Sequence, residues 1–431
     1  MTNVALILIT DPQRSLECHA GLPLLKRTVL TAQKGGIEEF IIVAPKNSEE
    51  ALRTVLSEDT RIFSPICWYR QESDDIPNRL REVSSEYIMI IKAETAFDAD
   101  VITRMRRQGD DDTAAHIAVR NGPGEAGRYT LKLDGNIVVD CNVPDASHLR
   151  AGLILARPGA LKDAKITRVS NEHKGLDGIV KGLLGAGTVK AVDVTGEPCM
   201  EITSQETLRE SENKLLGNLG LATDSPFSTH ISRKLSSRVS ALLVRFPITP
   251  NQVTILSLLV GLVACWSYLQ GVYLYSVIGV LLLYASIILD LADGEVARLK
   301  FMSSKYGGLL DSLCDSTVFA GIVLCAALAI HRDANTPHIV TVGAIAAVVI
   351  FSSSNLYFYL HSTKEHQVDD LPSSTMRWVA NEDNFFLSLL VFTVLNMLSW
   401  YIYMVTVGAS VYLLMLVWES TTTVSSGEEA R

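Results

Sequence analysis

The chain has 431 residues, enough for two or three domains, with 38 Lys and Arg against 47 Asp and Glu and a formal net charge of −9. The charge is uneven: from Pro247 onward there are 7 basic and 14 acidic residues, a net of −7, which leaves residues 1–246 near neutral at −2. No basic stripe supports nucleic-acid binding, and an apolar, charge-poor second half argues against one homogeneous soluble enzyme.

The first residues, MTNVALILIT, lack a basic leader and a small-residue cleavage site, so they read as a strand and not as a signal peptide. Next come a helical pattern over Leu22–Lys34, a turn at GGIEEF, a strand at FIIVAP, a helix at SEEALRTVLSED and a strand at EYIMIIKAE. Strand and helix in alternation predict a parallel α/β sheet, and residues 1–222 are enough for one such domain. The seven cysteines form no CxxC pair, which predicts reduced, buried thiols without a disulfide framework or structural zinc.

Ser232–Phe246 follows, where Leu235, Val239, Leu242 and Leu243 recur at helical spacing between Arg233, Lys234, Arg238 and Arg245. This predicts an amphipathic helix on the membrane surface, its cations near anionic lipid head groups. Residues 223–247 thus form a linker and juxtamembrane helix, and Pro247 and Pro250 end it.

Phe246–Leu289 then runs 44 residues without a charge, twice the roughly 20 that one span needs. It divides into two helices with a tight turn near Gln270–Gly271. A third span runs from near Gly308 to Ile330, and a fourth lies in Pro337–His361. The uncharged run Asn384–Trp418, 35 residues, allows two short or tilted spans, for a total of six. Cations flank one side (Arg233, Lys234, Arg238, Arg245, Arg298, Lys300, Lys305, Lys364, Arg377) and only Arg332 the other. This asymmetry predicts a multi-pass protein with both termini in the cytosol. Within the loop 365–383, Arg377 reads as lipid-facing or solvated, with an acceptor phosphate as the alternative. The polar residues 421–431 predict a disordered tail.

The chemistry lies between spans two and three, in LDLADGEVARLKFMSSKYGGLLDSLCDS. Asp290 and Asp293 share a helix face, as do Asp311 and Asp315. Ionisable groups near the ends of spans default to a functional reading. Four facing carboxylates repel unless a cation neutralises them, and hard oxygen donors suit Mg²⁺ or Mn²⁺. A divalent pair held there binds a diphosphate. Gly294 lets the backbone approach a ligand, and Arg298 offers phosphate a bidentate contact. Glu295 reads as a solvated neighbour. A cation transporter would place acids near mid-span on several helices, whereas these cluster at one rim. An inert scaffold has no use for the set.

The pattern Asp290-x2-Asp293-Gly294-x2-Ala297-Arg298-x8-Gly307-x3-Asp311-x3-Asp315 resembles the complete signature of the CDP-alcohol phosphotransferases. The resemblance covers about residues 226–420, and ITPNQVT (Ile248–Thr254) resembles the family's approach to its first span. It implies a six-helix membrane enzyme, usually a homodimer, in residues 248–420. Such an enzyme transfers the phospho-alcohol unit of a CDP-alcohol to an acceptor alcohol, a lipid or an inositol phosphate, and releases CMP. By the same resemblance Asp290, Asp293 and Asp311 hold two metal ions, and Asp315 shares that site and acts as the base. Gly294, Ala297, Arg298 and Gly307 shape or contact the CDP site.

The first half resembles a sugar-nucleotidyltransferase domain with a Rossmann-type sheet, on Gly21–Asn47, Ala151–Leu161 and Ile202–Leu216. The domain order resembles the bifunctional inositol-phosphate cytidylyltransferase and di-myo-inositol phosphate phosphate synthases, whose first domain makes CDP-inositol from CTP. This chain departs from that pattern. Its loop ITDPQRSLECHAG (Ile9–Gly21) holds glycine only at Gly21, where a phosphate cradle relies on several. Arg14 or Lys26 stands as a partial substitute. The metal-binding Asp of the family is replaced by Glu94 or Asp98, and the later acid aligns with Glu201. The lost glycines predict a degenerate domain kept for docking or regulation.

Overall fold

The structure is a computed structural model that describes residues 3–71, 75–83, 85–109, 112–122, 130–143, 146–163, 176–219, 227–362 and 382–428. It separates into two compact units, Met1–Asn218 and Leu219–Arg431. Arg377, Lys364 and most of the loop around them lie outside the described residues.

The strands of the first unit are β1 (Val4–Leu8), β2 (Cys18–His19), β3 (Leu22–Pro23), β4 (Glu39–Ala44), β5 (Ile66–Arg70), β6 (Ile88–Lys92) and β7 (Thr95–Ala96). They continue with β8 (Ala115–Asn121), β9 (Thr130–Asp134), β10 (Ile137–Cys141), β11 (His148–Ala156), β12 (Val189–Asp193) and β13 (Met200–Glu201). Its helices are α1 (Pro12–Leu16), α2 (Leu24–Lys34), α3 (Glu49–Ser57), α4 (Asp75–Glu82), α5 (Ala99–Arg107), α6 (Pro158–Asp163), α7 (Leu176–Ala186) and α8 (Gln205–Gly217).

Nine strands form one sheet in the order β5-β4-β1-β6-β11-β8-β12-β10-β9. The continuous apolar runs of β1, β4 and β6 suit burial on both faces. Ala5, Ile7, Ile42 and Met89 meet α2, α3 and α5 on one side; Leu6, Ile41, Val43 and Ile90 meet α4, α6 and α7 on the other. The expectation of an α/β domain is borne out, but the sheet is mixed. Only β5, β4, β1 and β6 form a continuous parallel block, and β11 runs antiparallel to both β6 and β8. All seven cysteines are free; Cys18 is exposed, so not every thiol is buried as predicted.

The second unit begins with a π-helical turn, Ser228–Ser232, and then α9 (Arg233–Leu243). There follow α10 (Pro250–Leu269), α11 (Tyr273–Leu299), α12 (Lys305–Ala334), α13 (Pro337–Ser362), α14 (Glu382–Val394) and α15 (Leu398–Glu428). Pro250 and Pro337 occupy first-turn positions, where a missing N–H costs nothing. Gly271, at φ +71°, makes the expected turn between α10 and α11.

Five of these helices are long and apolar enough to cross a membrane: α10, α11, α12, α13 and α15. The sixth predicted span is short. Asn396, in the left-handed region at φ +55°, breaks the uncharged run early and leaves α14 with 13 residues. At 1.5 Å per residue that is about 20 Å, against a hydrocarbon core of about 30 Å. At its other end α15 continues to Glu428, through much of the segment whose polar composition predicts a disordered tail. Helix propagation from an apolar segment is cooperative and carries polar residues with it.

Helix contacts in this unit follow membrane rules: small residues permit close approach, and hydroxyls bond across. A side chain at Gly261 would meet Val318 at 2.4 Å, and one at Gly343 would meet Ala327 at 2.4 Å. Ser257 donates to the Ser286 carbonyl at 3.0 Å, and Ser286 returns a bond to the Ser257 carbonyl at 2.8 Å, which joins α10 to α11.

The juxtamembrane helix packs by the face that hydropathy alone would leave outward. Ser232, Ser236 and Ser240 are fully buried, while Leu235 and Leu242 are exposed. The serine face meets Glu295 of α11, which is 1% exposed and is therefore not the solvated neighbour predicted. Ser236 and Ser240 each donate to it at 2.7 Å, and Arg233 pairs with it at 3.3 Å. A buried carboxylate must be paired or hydrogen-bonded, and two turns of α9 supply all three partners.

Candidate metal and phosphate site

The site is built where α10, α11 and α12 approach one another. Spacings of three and four residues put Asp290 with Asp293 on one face of α11, and Asp311 with Asp315 on one face of α12. The connector 300–304 between the two helices is short and internally tied. Phe301 takes a left-handed conformation at φ +53°, and the Met302 N–H bonds back to the Ala297 carbonyl at 2.8 Å. Buried Lys300 donates to the Phe246 and Ile248 carbonyls at 2.7 and 2.8 Å, which ties the end of α11 to the residues before α10.

Carboxylate oxygens of Asp290, Asp293 and Asp311 lie within 4.8 Å of one another. Asp315, one turn further along α12, is not part of this three-carboxylate group. Asp293 is buried and accepts a 2.5 Å bond from the Thr254 hydroxyl of α10. Asp311 Oδ1 is shielded from solvent and has no hydrogen-bond partner among the described residues. Three hard-oxygen donors, one with an oxygen still to be satisfied, fit a divalent cation.

A cavity of about 180 Å³ adjoins the cluster and is lined by Asp293, Gly294, Ala297, Arg298, Gly307 and Asp311 among others. Every predicted CDP-contact residue is thus on its wall. A side chain built at Gly294 would touch only Arg298 Nη1, at 3.6 Å, so the glycine keeps cavity volume open and is not demanded by packing. The first turn of α12 reaches the cavity at Gly307, with Ser304 as its N-cap, and a helix N-terminus favours an anion. Asn251, Thr254, Ser303 and Ser304 also line the cavity and were missed as site residues. The ITPNQVT motif holds the first two, but no acid, base or glycine marks them as ligand contacts.

The first unit shows the opposite arrangement. Glu94 is 1% exposed and accepts bonds from the Thr10 and Asp11 N–H groups and from the Thr10 and Ser15 hydroxyls, all within 2.9 Å. Asp98, the alternative acid, caps α5 through the Ala99 N–H. Glu201 is held by Lys92 at 2.9 Å and by Arg150 at 2.8 Å, and Arg150 also pairs with Asp177. Burial alone would raise the Glu201 carboxyl, but Arg150 and Lys92 outweigh it and hold the group down at about 2. Arg14 donates to the Thr203 carbonyl, and Lys26 pairs with Asp59.

Residues 247–424 match the family profile described as CDP-alcohol phosphatidyltransferase. A protein of Rubrobacter xylanophilus named bifunctional IPC transferase and DIPP synthase is 30% identical over 328 residues, 74% of each chain. A protein of Thermococcus kodakarensis with the same name is 24% identical over 79% of this chain and 77% of its own. An archaetidylinositol phosphate synthase of Pyrococcus horikoshii is 39% identical over 92 residues, 20% of this chain and 47% of its own. Among solved structures, the inositol-1-phosphate CTP transferase of T. maritima matches with a TM-score of 0.40 and 14% identity, over 49% of this chain and 96% of that one. The chain belongs to the family of the bifunctional IPC transferases and DIPP synthases, with a CDP-alcohol phosphatidyltransferase domain as its second unit.

Proposed function

We propose that the second unit transfers the phospho-alcohol unit of a CDP-alcohol to an acceptor hydroxyl and releases CMP. The observation that carries this reading is the convergence of Asp290, Asp293 and Asp311 on a cavity walled by Gly294, Ala297, Arg298 and Gly307. Those three carboxylates would hold the divalent ions, two Mg²⁺ or Mn²⁺. Such ions, when bound, offset the charge of the diphosphate and of the departing CMP.

The remaining roles fall to the chain itself. Arg298 orients the diphosphate through a planar, bidentate guanidinium. Gly294 and Gly307 let the nucleotide part approach backbone. Asp315 takes the proton of the acceptor hydroxyl, the acceptor oxygen bonds to the alcohol-side phosphorus, and the phosphorus–oxygen bond to CMP breaks. Thr254 fixes the Asp293 carboxylate through its hydroxyl.

The names of the relatives point to inositol phosphate chemistry, with an inositol phosphate or a lipid alcohol as acceptor. The cations flanking one side of the spans support both termini in the cytosol, which requires the short α14 to cross with the other five helices, and the bacterial and archaeal relatives support a prokaryotic cytoplasmic membrane. A homodimer is the expected assembly.

The test is purified full-length protein with Mg²⁺ or Mn²⁺ and a panel of CDP-alcohols and acceptors, read by CMP release. CMP from at least one donor is expected, and Asp315→Asn should lower it by about 10²–10⁴-fold. Silence across the panel, or full activity in Asp315→Asn, overturns the reading. Thr254→Val should raise the metal concentration for half-maximal activity about 10–100-fold, while Thr254→Ser retains it.

A further inference from the structure

In an open α/β sheet, a ligand binds in the crevice outside the carboxyl ends of the strands, at the point where strand order reverses. In the first unit that point lies between β1 and β6. The chain leaves β1 for β4 and β5 on one side and returns to β6 on the other. The segments meeting there are Thr10–Ser15 after β1 and Ala93–Ala96 after β6.

A nucleoside triphosphate bound at this place needs backbone N–H groups aimed outward at phosphate oxygens and a carboxylate with oxygens open to its metal. The groups present turn inward onto each other. Glu94 Oε1 accepts from the Thr10 N–H (2.9 Å), the Asp11 N–H (2.8 Å) and the Ser15 hydroxyl (2.9 Å). Its Oε2 accepts from the Thr10 hydroxyl at 2.7 Å. A carboxylate has about two acceptor positions on each oxygen, so three donors saturate Glu94 Oε1 and the Thr10 hydroxyl takes one of the two on Oε2. The loop donors that would meet a phosphate meet this internal anion instead.

The rest of the crevice is closed in the same way. Pro12 and the Asp11 cap wind the loop into α1. Glu201 reaches the crevice from β13, which pairs with β7, and is taken by Lys92 and Arg150. Gly152, at φ +82°, packs so tightly that a side chain there would meet the Thr95 hydroxyl at 2.1 Å.

We propose that this crevice is a closed structural joint and does not take a metal-bound nucleotide. The first unit then does not join CTP to a phosphorylated alcohol. The CDP-alcohol consumed by the second unit comes from a separate cytidylyl transfer, in which an alcohol phosphate attacks the α-phosphorus of CTP and pyrophosphate leaves. This last step rests on the phosphotransferase reading, while the closed crevice stands independently of it.

The experiment uses the full-length protein. It is given Mg²⁺, each of the four nucleoside triphosphates and a panel of alcohol phosphates that includes inositol 1-phosphate, and pyrophosphate is measured. Release no faster than the enzyme-free control is expected. Hydrogen exchange over residues 10–15 gives a second readout. Those amides should exchange slowly, Mg²⁺ with CTP should leave them unchanged, and Glu94→Ala should speed them by about 10-fold or more. Pyrophosphate above control overturns the proposal. So does protection of residues 10–15 by Mg²⁺ and CTP, or unaltered exchange in Glu94→Ala. CMP release from a supplied CDP-alcohol, measured on the same preparation, tests the phosphotransferase reading by itself, so the two fail separately.

Discussion

Asp311→Asn is expected to lower CMP release by about 10³-fold, because a bound divalent ion supplies several kcal/mol of charge stabilisation and about 4 kcal/mol is a factor of about 10³. The same substitution should not harm the metal-free fold. Three carboxylates with oxygens within 4.8 Å repel one another when no cation is bound, and Asn removes one charge at equal size. Thermal unfolding in chelator should therefore occur at the same temperature as in the wild type or higher. The rise in melting temperature on adding Mg²⁺ or Mn²⁺ should shrink or vanish. A variant that melts lower in chelator and keeps its metal response would show that Asp311 is structural, and the site would need to be sought elsewhere.

Arg150→Ala is expected to destabilise the first unit by about 3–5 kcal/mol, the cost of stranding a buried charge when its partner is removed. The Arg150 side chain is buried and joins Glu201 to Asp177, and Glu201 is left with Lys92 as its remaining cation. For a unit of this size the loss corresponds to a fall in melting temperature of about 10 °C. Arg150→Lys should recover part of it, since a cation is kept beside Glu201 and Asp177, whereas adding Glu201→Leu to Arg150→Ala should not, since it strands buried Lys92 in turn. If the single variant melts like the wild type, the network is not what holds β13 against β6 and β11, and Glu201 is open for another role.

The long apolar helices and the carboxylate cluster were legible in the sequence because both depend on local rules. A charge-free run of spanning length has few alternatives, and Asp290 with Asp293, or Asp311 with Asp315, share a helix face by spacing alone. The α/β character of the first unit was legible for the same reason, through strand and helix periods. What escaped were pairings between distant segments. Glu295 looks solvated when read beside its neighbours, and only α9, some 55–60 residues earlier, shows why it is buried. Asn251 and Thr254 carry no acid or base to draw attention, and they join the site only because α10 packs against α11 and α12.

The missing glycines of the loop 9–21 bear on the same distinction. Their loss argues that a phosphate cradle is absent, since backbone approach depends on residue type. It cannot say what fills the space. Glu94 lies 79–84 residues from the loop residues it accepts from, and the saturation of its Oε1 is a property of β1 and β6 lying side by side. The sequence by itself thus determined the two-part architecture, the spanning helices and the identity of the acids, all matters of composition and spacing. Only the tertiary structure decided which acids are available for chemistry. Asp290, Asp293 and Asp311 converge beside a cavity, whereas Glu94, Glu201 and Glu295 are consumed by internal partners, because availability depends on which long-range neighbours supply donors and charge.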